Sequence, residues 1–509
     1  MSLTARPARE VPTLWLNPDT GELLTPDGRQ GPALTGPASL VDALDAASRH
    51  NAHRIMIAAA AMPRAAWVLE NPASWELHSC NVAGIWWARY RHRATQEDIW
   101  VRCIHEWGTE WAQMPLEAAR AAFERLAALV STLDRDHPVG GPQVGKNRAP
   151  VMLSPEATGL NLWALTVPDQ VPHDPLPADI AEELRASMAP ARNDYVVQGP
   201  KTYTGYASDI TAGEPNGQLH TLQLVLPEVL ECNELGIGPA ARLTGAEAAK
   251  LFTESAYHPA RYKVAFHVPE HWTGPGLLAF HDESGWRWPN RPGTEGTTWA
   301  GQAELRLAAA GGWITAESIT EAISFTHSIP STRSKGKMTR PRPLDGWARA
   351  LRTLWDAAAT DPAPEALQAA LARIITGTID AFSNTVERSA ISTTKPATGI
   401  ARAVGNGLYA VQETAAERPT SMRHPEFTAQ IRAGAAARVL DGPSGGGERI
   451  GALHLPGRYW GARGSIIVTD KLPAWIGDEH RAGRWSIKAS ADVPAAPATL
   501  LQAIQQTQQ

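Results

Sequence analysis

Arg423-HPEFTAQIRAGAAARVLD-Gly442, Ala452-LHLPGRYWGARGSIIVTDKLPA-Trp475 and Ala482-GRWSI-Lys488 decide how this chain reads. In the first segment Phe427, Ile431, Ala435 and Val439 recur at a spacing of four, which predicts a helix, with Arg432 and Arg438 elsewhere on it. Gly442-Pro443 and the glycines 445–447 stop that helix. Ser465-Ile-Ile-Val-Thr469 is a β-branched run and predicts a buried strand that ends on Asp470. A carboxylate at the tip of an apolar strand is costly unless it is solvated, hydrogen-bonded or bound to a metal. Trp485-Ser-Ile-Lys488 reads as a basic return strand, giving a helix and then a hairpin with Asp470 near its turn.

That pattern resembles the palm of family B DNA polymerases. Val468-Thr-Asp-Lys471 is similar to the Asp-Thr-Asp-Ser hairpin of that family, matching at Thr469 and at Asp470. The resemblance makes Asp470 a metal ligand and catalytic carboxylate. Upstream, Arg373-IITGTIDA-Phe382 resembles the fingers motif Lys-x-x-x-Asn-Ser-x-Tyr-Gly. Arg373 takes the Lys position, Thr378 the Ser position and Ala381 the Gly position, while Gly377 and Asp380 replace Asn and Tyr. The resemblance implies that Arg373 binds the triphosphate of an incoming nucleotide. It extends over the last 300 or so residues. It is closest in kind to proteins of actinobacterial plasmids, phages or linear replicons, and is similar to telomere-associated proteins.

A palm needs a second carboxylate upstream, because two divalent ions require anionic ligands from two positions. Asp209 and Glu214 are the candidates, with Glu214 at a strand-to-helix junction in Glu214-Pro-Asn-Gly-Gln-Leu219. Glu214 is therefore expected as the partner of Asp470 in binding Mg²⁺ or Mn²⁺. Its other reading is a turn residue that caps the following helix, expected over 218–235. From 240 to 330 strands and helices alternate. Thr244 with Glu247 forms a capping box for a helix over 245–254, and Tyr262 to Val268 alternates as a strand. Thr298 is expected to cap a helix over 299–310, and Trp313 to Ile319 to be a strand or edge segment. Between Pro330 and Pro343, Arg333, Lys335, Lys337, Arg340 and Arg342 carry five positive charges without an acid. That loop, with Lys488, suits phosphate contacts, or else is a solvated loop. Helices over 344–359 and 364–383, joined across Asp361-Pro-Ala-Pro364, make a helical hairpin like a fingers module. Residues 384–422 are polar and have no place in this scheme.

The N-terminal part begins with turn chemistry at Pro18-Asp-Thr-Gly21 and Pro26-Asp-Gly28. Ser39 caps a helix over 40–50, residues 55–59 read as a strand and 115–133 as a helix. Trp67, Trp75, Trp86, Trp87, Trp100, Trp107 and Trp111 fall within 45 residues, interleaved with Arg89, Arg91, Arg93 and Arg102. Indoles stack on bases and guanidinium groups pair with phosphates. Equally, tryptophans build cores and arginine stems cover them. In a strand Trp86 and Trp87 point to opposite faces, so one of them faces away from a single-sided core.

The 509 residues allow two to four domains. The expected division is a Trp/Arg-rich domain at 1–137, a linker with a short helix at 138–193, and palm-like parts at 194–330 and 396–495. The basic loop and fingers-like hairpin fall at 331–395, and a tail at 496–509. The fold class is α+β: a mixed palm-like sheet with helices on one face, a helical hairpin and an N-terminal α+β domain. Hydrophobic content of 43% and charged content of 19% describe a globular chain. The net charge of −5 confines any nucleic-acid surface to a local patch. Cys80, Cys103 and Cys232 show no metal-type spacing and read as reduced thiols of a cytoplasmic protein. The most apolar stretch, Ile55 to Leu69, is too short and too interrupted by Pro63-Arg64 to span a bilayer.

No Walker loop, HExxH, GxSxG, CxxC or dinucleotide fingerprint is present. The expected function is a DNA-binding, replication-associated role with a degenerate polymerase-like core, its catalysis weakened or lost. If the protein is an enzyme, it is a metal-dependent DNA-directed nucleotidyltransferase. The expected partners are single-stranded or primer-template DNA and a terminal or replication protein. The alternative is a non-enzymatic adaptor or structural protein of a mobile element.

Overall fold

The computed structural model describes residues 11–58, 73–80, 87–112, 114–133, 151–167, 176–189, 196–197, 203–204, 218–233, 235–254, 258–272, 274–283, 285–327, 342–383, 386–395, 401–403, 407–416, 423–443, 448–454, 458–462, 464–468, 472–477 and 480–492. The chain forms two compact units, residues 1–166 with 349–423, and residues 167–348 with 424–509. It is a mixed α+β structure with several mixed or antiparallel sheets.

Along the chain the first unit opens with strands β1 (Thr13–Leu16) and β2 (Leu23–Leu24), helix α1 (Leu40–Arg49) and strand β3 (Arg54–Ile57). Ser39 caps α1, its hydroxyl accepting from Asp42 N at 3.2 Å. Strands β4 (Trp75–Cys80), β5 (Trp87–His92) and β6 (Asp98–Cys103) follow as a meander, then helix α2 (Leu116–Ser131) and helix α3 (Pro155–Thr166). The six strands lie in the order β2-β1-β3-β6-β5-β4. β1 is parallel to β3, with α1 as the crossover, and β3 is parallel to β6. Trp75, Tyr90, Ile99 and Val101 are fully buried in the core of this sheet.

The second unit contributes helix α4 (Ala178–Ala186), strand β7 (Gln218–Leu224), strand β8 (Ile237–Thr244), helix α5 (Gly245–Glu254) and strand β9 (Ala260–His267). Strand β10 (Glu295–Gly301), helix α6 (Gln302–Ala310) and strand β11 (Ile319–His327) come next. The expected capping box is present: Thr244 N donates to Glu247 Oε2 at 3.0 Å. Strands β8, β11, β9 and β10 form an antiparallel sheet in that order.

Three expectations are corrected here. Residues 218–235 do not form one amphipathic helix. Residues 218–224 are a strand with neighbours on both sides, and Pro227 opens only a short helix, Pro227–Leu230, because it lacks the N–H a continuing helix would need. Thr298 does not cap a helix. It lies within β10, its hydroxyl donating to Ala279 O at 2.6 Å, and α6 starts after Gly301, whose N–H donates to Glu304 Oε2 at 2.9 Å. Trp313 to Ser318 is not a strand. A 3-10 turn at Ala316–Ser318 leads into β11, which starts at Ile319.

Helix α7 (Asp345–Ala358) and helix α8 (Pro364–Ser383) are the two helices expected over 344–359 and 364–383. Residues 384–422, unassigned from sequence, contain strands β12 (Val386–Ser392), β13 (Ala401–Ala403) and β14 (Tyr409–Ala416), paired antiparallel in the order β12-β14-β13. α8 crosses α3 closely enough that a methyl group on Gly159 would fall on the Thr378 hydroxyl.

Helix α9 (Pro425–Asp441) is the helix read from the opening stretch. Phe427 and Ile431 are fully buried, but so are Thr428 and Ala429, because α9 has neighbours on more than one side. Arg438 forms an ion pair with Glu231, and a side chain at Gly434 would strike that same Glu231. Beyond α9 lie strands β15 (Arg458–Ala462), β16 (Gly464–Val468), β17 (Ile476–Gly477) and β18 (Trp485–Asp492). With β7 they form a five-stranded sheet in the order β15-β16-β7-β18-β17. The expected strands over 465–469 and 485–488 both exist, but they are not hairpin partners. β7 lies between them, and β16 pairs antiparallel with the preceding β15.

Candidate nucleic-acid interface

A cleft of about 520 Å³ opens in the first unit. One wall is the sheet: Trp87 on β5 and, on the adjacent β6, Trp100 and Arg102. The 3-10 turn Ile104–Trp107 directly after β6 adds His105 and Glu106. The N-terminus of α3 supplies Ser154, Pro155 and Glu156, with Ser154 Oγ accepting from Ala157 N at 3.1 Å. α8 supplies Arg373, Thr376, Gly377 and Asp380. Their spacing of three, four and seven puts them on one helix face. Trp111 ties this helix in place, its indole Nε1 donating to Ala366 O at 2.7 Å.

The two indoles of Trp87 and Trp100 are tilted at 48° with centroids 5.5 Å apart, and both are half-buried. The Arg102 guanidinium lies 5.8 Å from the Trp87 ring centre, and that of Arg89 lies 5.5 Å from Trp100. Arg102 is only 4% exposed. Its Nη2 lies in an ion pair 2.9 Å from Glu106 Oε2, while its Nε has no hydrogen-bond partner among the described residues. Burial pushes the Glu106 carboxyl up to about 7, opposed by Arg102. Burial likewise lowers Arg54 to about 10, helped by repulsion from Arg102. The Arg54 Nε is held by Thr13 Oγ1 at 2.8 Å.

The Trp/Arg cluster therefore divides. Trp75, Trp107 and Trp111 are core, and Arg89 and Arg91 are neutralised by Asp98, at 2.5 and 3.0 Å. Trp87, Trp100 and Arg102 face the cleft. Trp67 and Trp86 lie outside the described residues. Arg373 is exposed and belongs to this cleft. From sequence, Arg373 is named as a site residue and Asp380 only as a replacement in the fingers motif, while Glu106, Glu156 and Thr376 are not named. The helical spacing 373, 376, 377, 380 was the available signal.

Of the other residues expected at a site, Lys488 is exposed on β18 and Arg342 is half-buried, both in the second unit. Arg333, Lys335, Lys337, Arg340, Asp209, Glu214 and Asp470 lie outside the described residues. Their strands are informative. Val468 of β16 pairs with Leu219 of β7, and Asp492 of β18 pairs with Gln218. One end of the sheet thus carries the end of β16, two residues before Asp470, the start of β7, four residues after Glu214, and Asp492. At the opposite end β16 starts at Gly464-Ser465, where Ser465 pairs with Leu222 of β7. Among the described residues no group of three or more His, Cys, Asp and Glu side chains could hold a metal ion. Among them, too, no helix is long and apolar enough to cross a membrane.

Solved structures of Phi29 DNA polymerase are similar to this chain. The complex with primer-template DNA is 10% identical with a TM-score of 0.52, covering 95% of this chain and 85% of that one. The complex with primer-template DNA and incoming nucleotides is 8% identical with a TM-score of 0.53, covering 95% and 86%. The complex with single-stranded DNA is 9% identical with a TM-score of 0.52, covering 95% and 85%. The chain has a family B DNA polymerase-like fold. No family model matches it, and a comparison with curated proteins finds no match. The fold thus agrees with the resemblance read from α8, α9 and the strands after it, and extends it from the last 300 or so residues to nearly the whole chain.

Proposed function

We propose that the protein binds DNA in a replication-associated role, through a polymerase-like core whose catalysis is weakened or lost. The observation that carries this is the match over nearly the full length to a polymerase complexed with primer-template DNA. On this reading the partners are single-stranded or primer-template DNA and a terminal or replication protein. The setting is the cytoplasm, on a mobile replicon of the actinobacterial plasmid, phage or linear type.

The donor set supports the reading of weakened catalysis. Two-metal phosphoryl chemistry needs carboxylates converging from neighbouring strands. Where β7 ends beside the start of β16, Leu222-Gln-Leu224 and Gly464-Ser465 hold no carboxylate, and the next ones along the chain are Glu228, on the short helix after Pro227, and Glu231, paired with Arg438. On this reading a metal would be held at the other end of the sheet, by Asp470 and Glu214. There these residues would supply acceptors for Mg²⁺ or Mn²⁺, with Lys488 and the basic loop Arg333, Lys335, Lys337, Arg340 and Arg342 supplying phosphate contacts.

The test is fluorescence anisotropy with labelled single-stranded and primer-template DNA across a salt series, with and without Mg²⁺ or Mn²⁺. Binding that weakens steeply with salt and ignores the metal is expected. A gain on adding metal that Asp470→Ala abolishes would establish a working metal site and overturn the loss of catalysis. No binding to either DNA would overturn the whole reading.

A further inference from the structure

We propose that the cleft of the first unit takes a single unstacked nucleotide of single-stranded DNA. The base lies against Trp87 and Trp100, and its phosphate lies at Arg373. This rests on the DNA-binding reading and assigns it a subsite.

Three observations on the cleft point to this ligand. First, two half-buried indoles line a space of about 520 Å³, within the range of sites for molecules the size of a nucleotide. Aromatic faces hold any unstacked base, and a cleft between a sheet and two helices admits a strand end or a splayed base, not a duplex. Second, Arg102 is nine-tenths buried, lines the cleft and keeps its Nε without a partner among the described residues. A buried donor left open is costly, and a ligand acceptor such as a base carbonyl would satisfy it. Third, charge is graded across the cleft. Arg373 is exposed, so the phosphate is favoured there and away from Glu156, which offsets the positive end of α3. Glu106, about a tenth exposed, is a buried acceptor in the lining, suited to the exocyclic amine of a base. Thymine has no exocyclic amine, so cytosine is preferred over thymine.

The experiment measures binding of labelled dC and dT 20-mers by anisotropy to wild type, Trp87→Leu and Arg373→Ala. Trp87→Leu leaves every charge in place, and Arg373→Ala changes an exposed helix position, so the two fail differently if folding is at issue. Thermal melts identify a misfolded variant. We expect dC to bind more tightly than dT in wild type, and Trp87→Leu to weaken dC binding about 5- to 150-fold, the loss of one stacked base. Arg373→Ala should weaken it as well and lower the salt slope. If wild type binds DNA but both variants bind dC as tightly, the cleft assignment is overturned and the DNA-binding reading stands. If wild type binds no DNA, both fall. Displacement of the 20-mer by micromolar free dCTP would assign the cleft to a free nucleotide and overturn the strand as its source.

Discussion

Each unit buries an arginine, and the two are used differently. Arg261 on β9 is 5% exposed and fully committed: its Nε donates to Ser187 Oγ at 3.0 Å, and its Nη2 reaches Ser187 O and, at 3.3 Å, Trp299 O. Glu304, which caps α6, adds charge compensation from within the same unit. Arg102 is as deeply buried, yet it has one carboxylate, one indole and an open Nε at a cleft. Saturation distinguishes an arginine that holds a fold together from one available to a ligand. Burial alone does not.

The comparison is tested hardest at Arg261. Arg261→Ala strands the acceptors of Ser187 and Trp299 and leaves Glu304 buried without its cation. Breaking a buried charge network in this way costs about 3–5 kcal/mol. Urea denaturation should show that loss as a lower midpoint. A loss below about 1 kcal/mol would mean that the arginine is not the saturated structural element its contacts describe.

Glu106 gives the next effect, and its sign can be worked out. Its carboxyl is raised from 4.5 to about 7 by burial, so between those values the folded chain holds a proton that the unfolded chain has lost. Its contribution is fully present below about pH 4.5 and is lost as pH rises through about 7. It amounts to on the order of 3 kcal/mol at most, because the Arg102 pairing moderates it. Glu106→Gln should remove this part of the pH dependence. The measurement is the difference between wild-type and variant unfolding free energies from pH 4.5 to 8. Parallel curves would show that Glu106 is ionised throughout, and the cleft then carries one more negative charge.

What was legible in the sequence was local. The α9 periodicity, the strand expected over 465–469 and the Thr244–Glu247 cap rest on neighbours a few residues apart, and the structure contains the helix, a strand over Gly464–Val468 and the cap. Pairing was not legible. β7 comes between β16 and β18 although it lies some 240 residues upstream of β16, and nothing in the alternation of Ser465 to Val468 names its partner. Leu219, Leu222 and Leu224 fit a helix stripe as well as a strand until Pro227 is weighed against the helix. The cleft was hidden for the same reason: it draws on residues 87–106, 153–156 and 373–380, which only the fold brings together. Arg373 was visible, but through a resemblance and in a different role.

A third arginine sets the lower limit of the comparison. Arg242 on β8 faces three carboxylates, Glu183 at 2.5 Å, Glu321 at 2.8 Å and Asp179 at 3.4 Å, yet it is about a third exposed. Counting contacts would rank it above Arg261. Solvent screening reverses that order, because exposed ion pairs contribute about 0.2–1 kcal/mol and lose that in salt. Arg242→Ala should therefore lower the denaturation midpoint slightly in dilute buffer, and the difference from wild type should shrink toward zero in molar salt. An effect as large as that of Arg261→Ala, or one indifferent to salt, would mean that contact number and not desolvation ranks these arginines. The open Nε of Arg102 would then no longer mark it out.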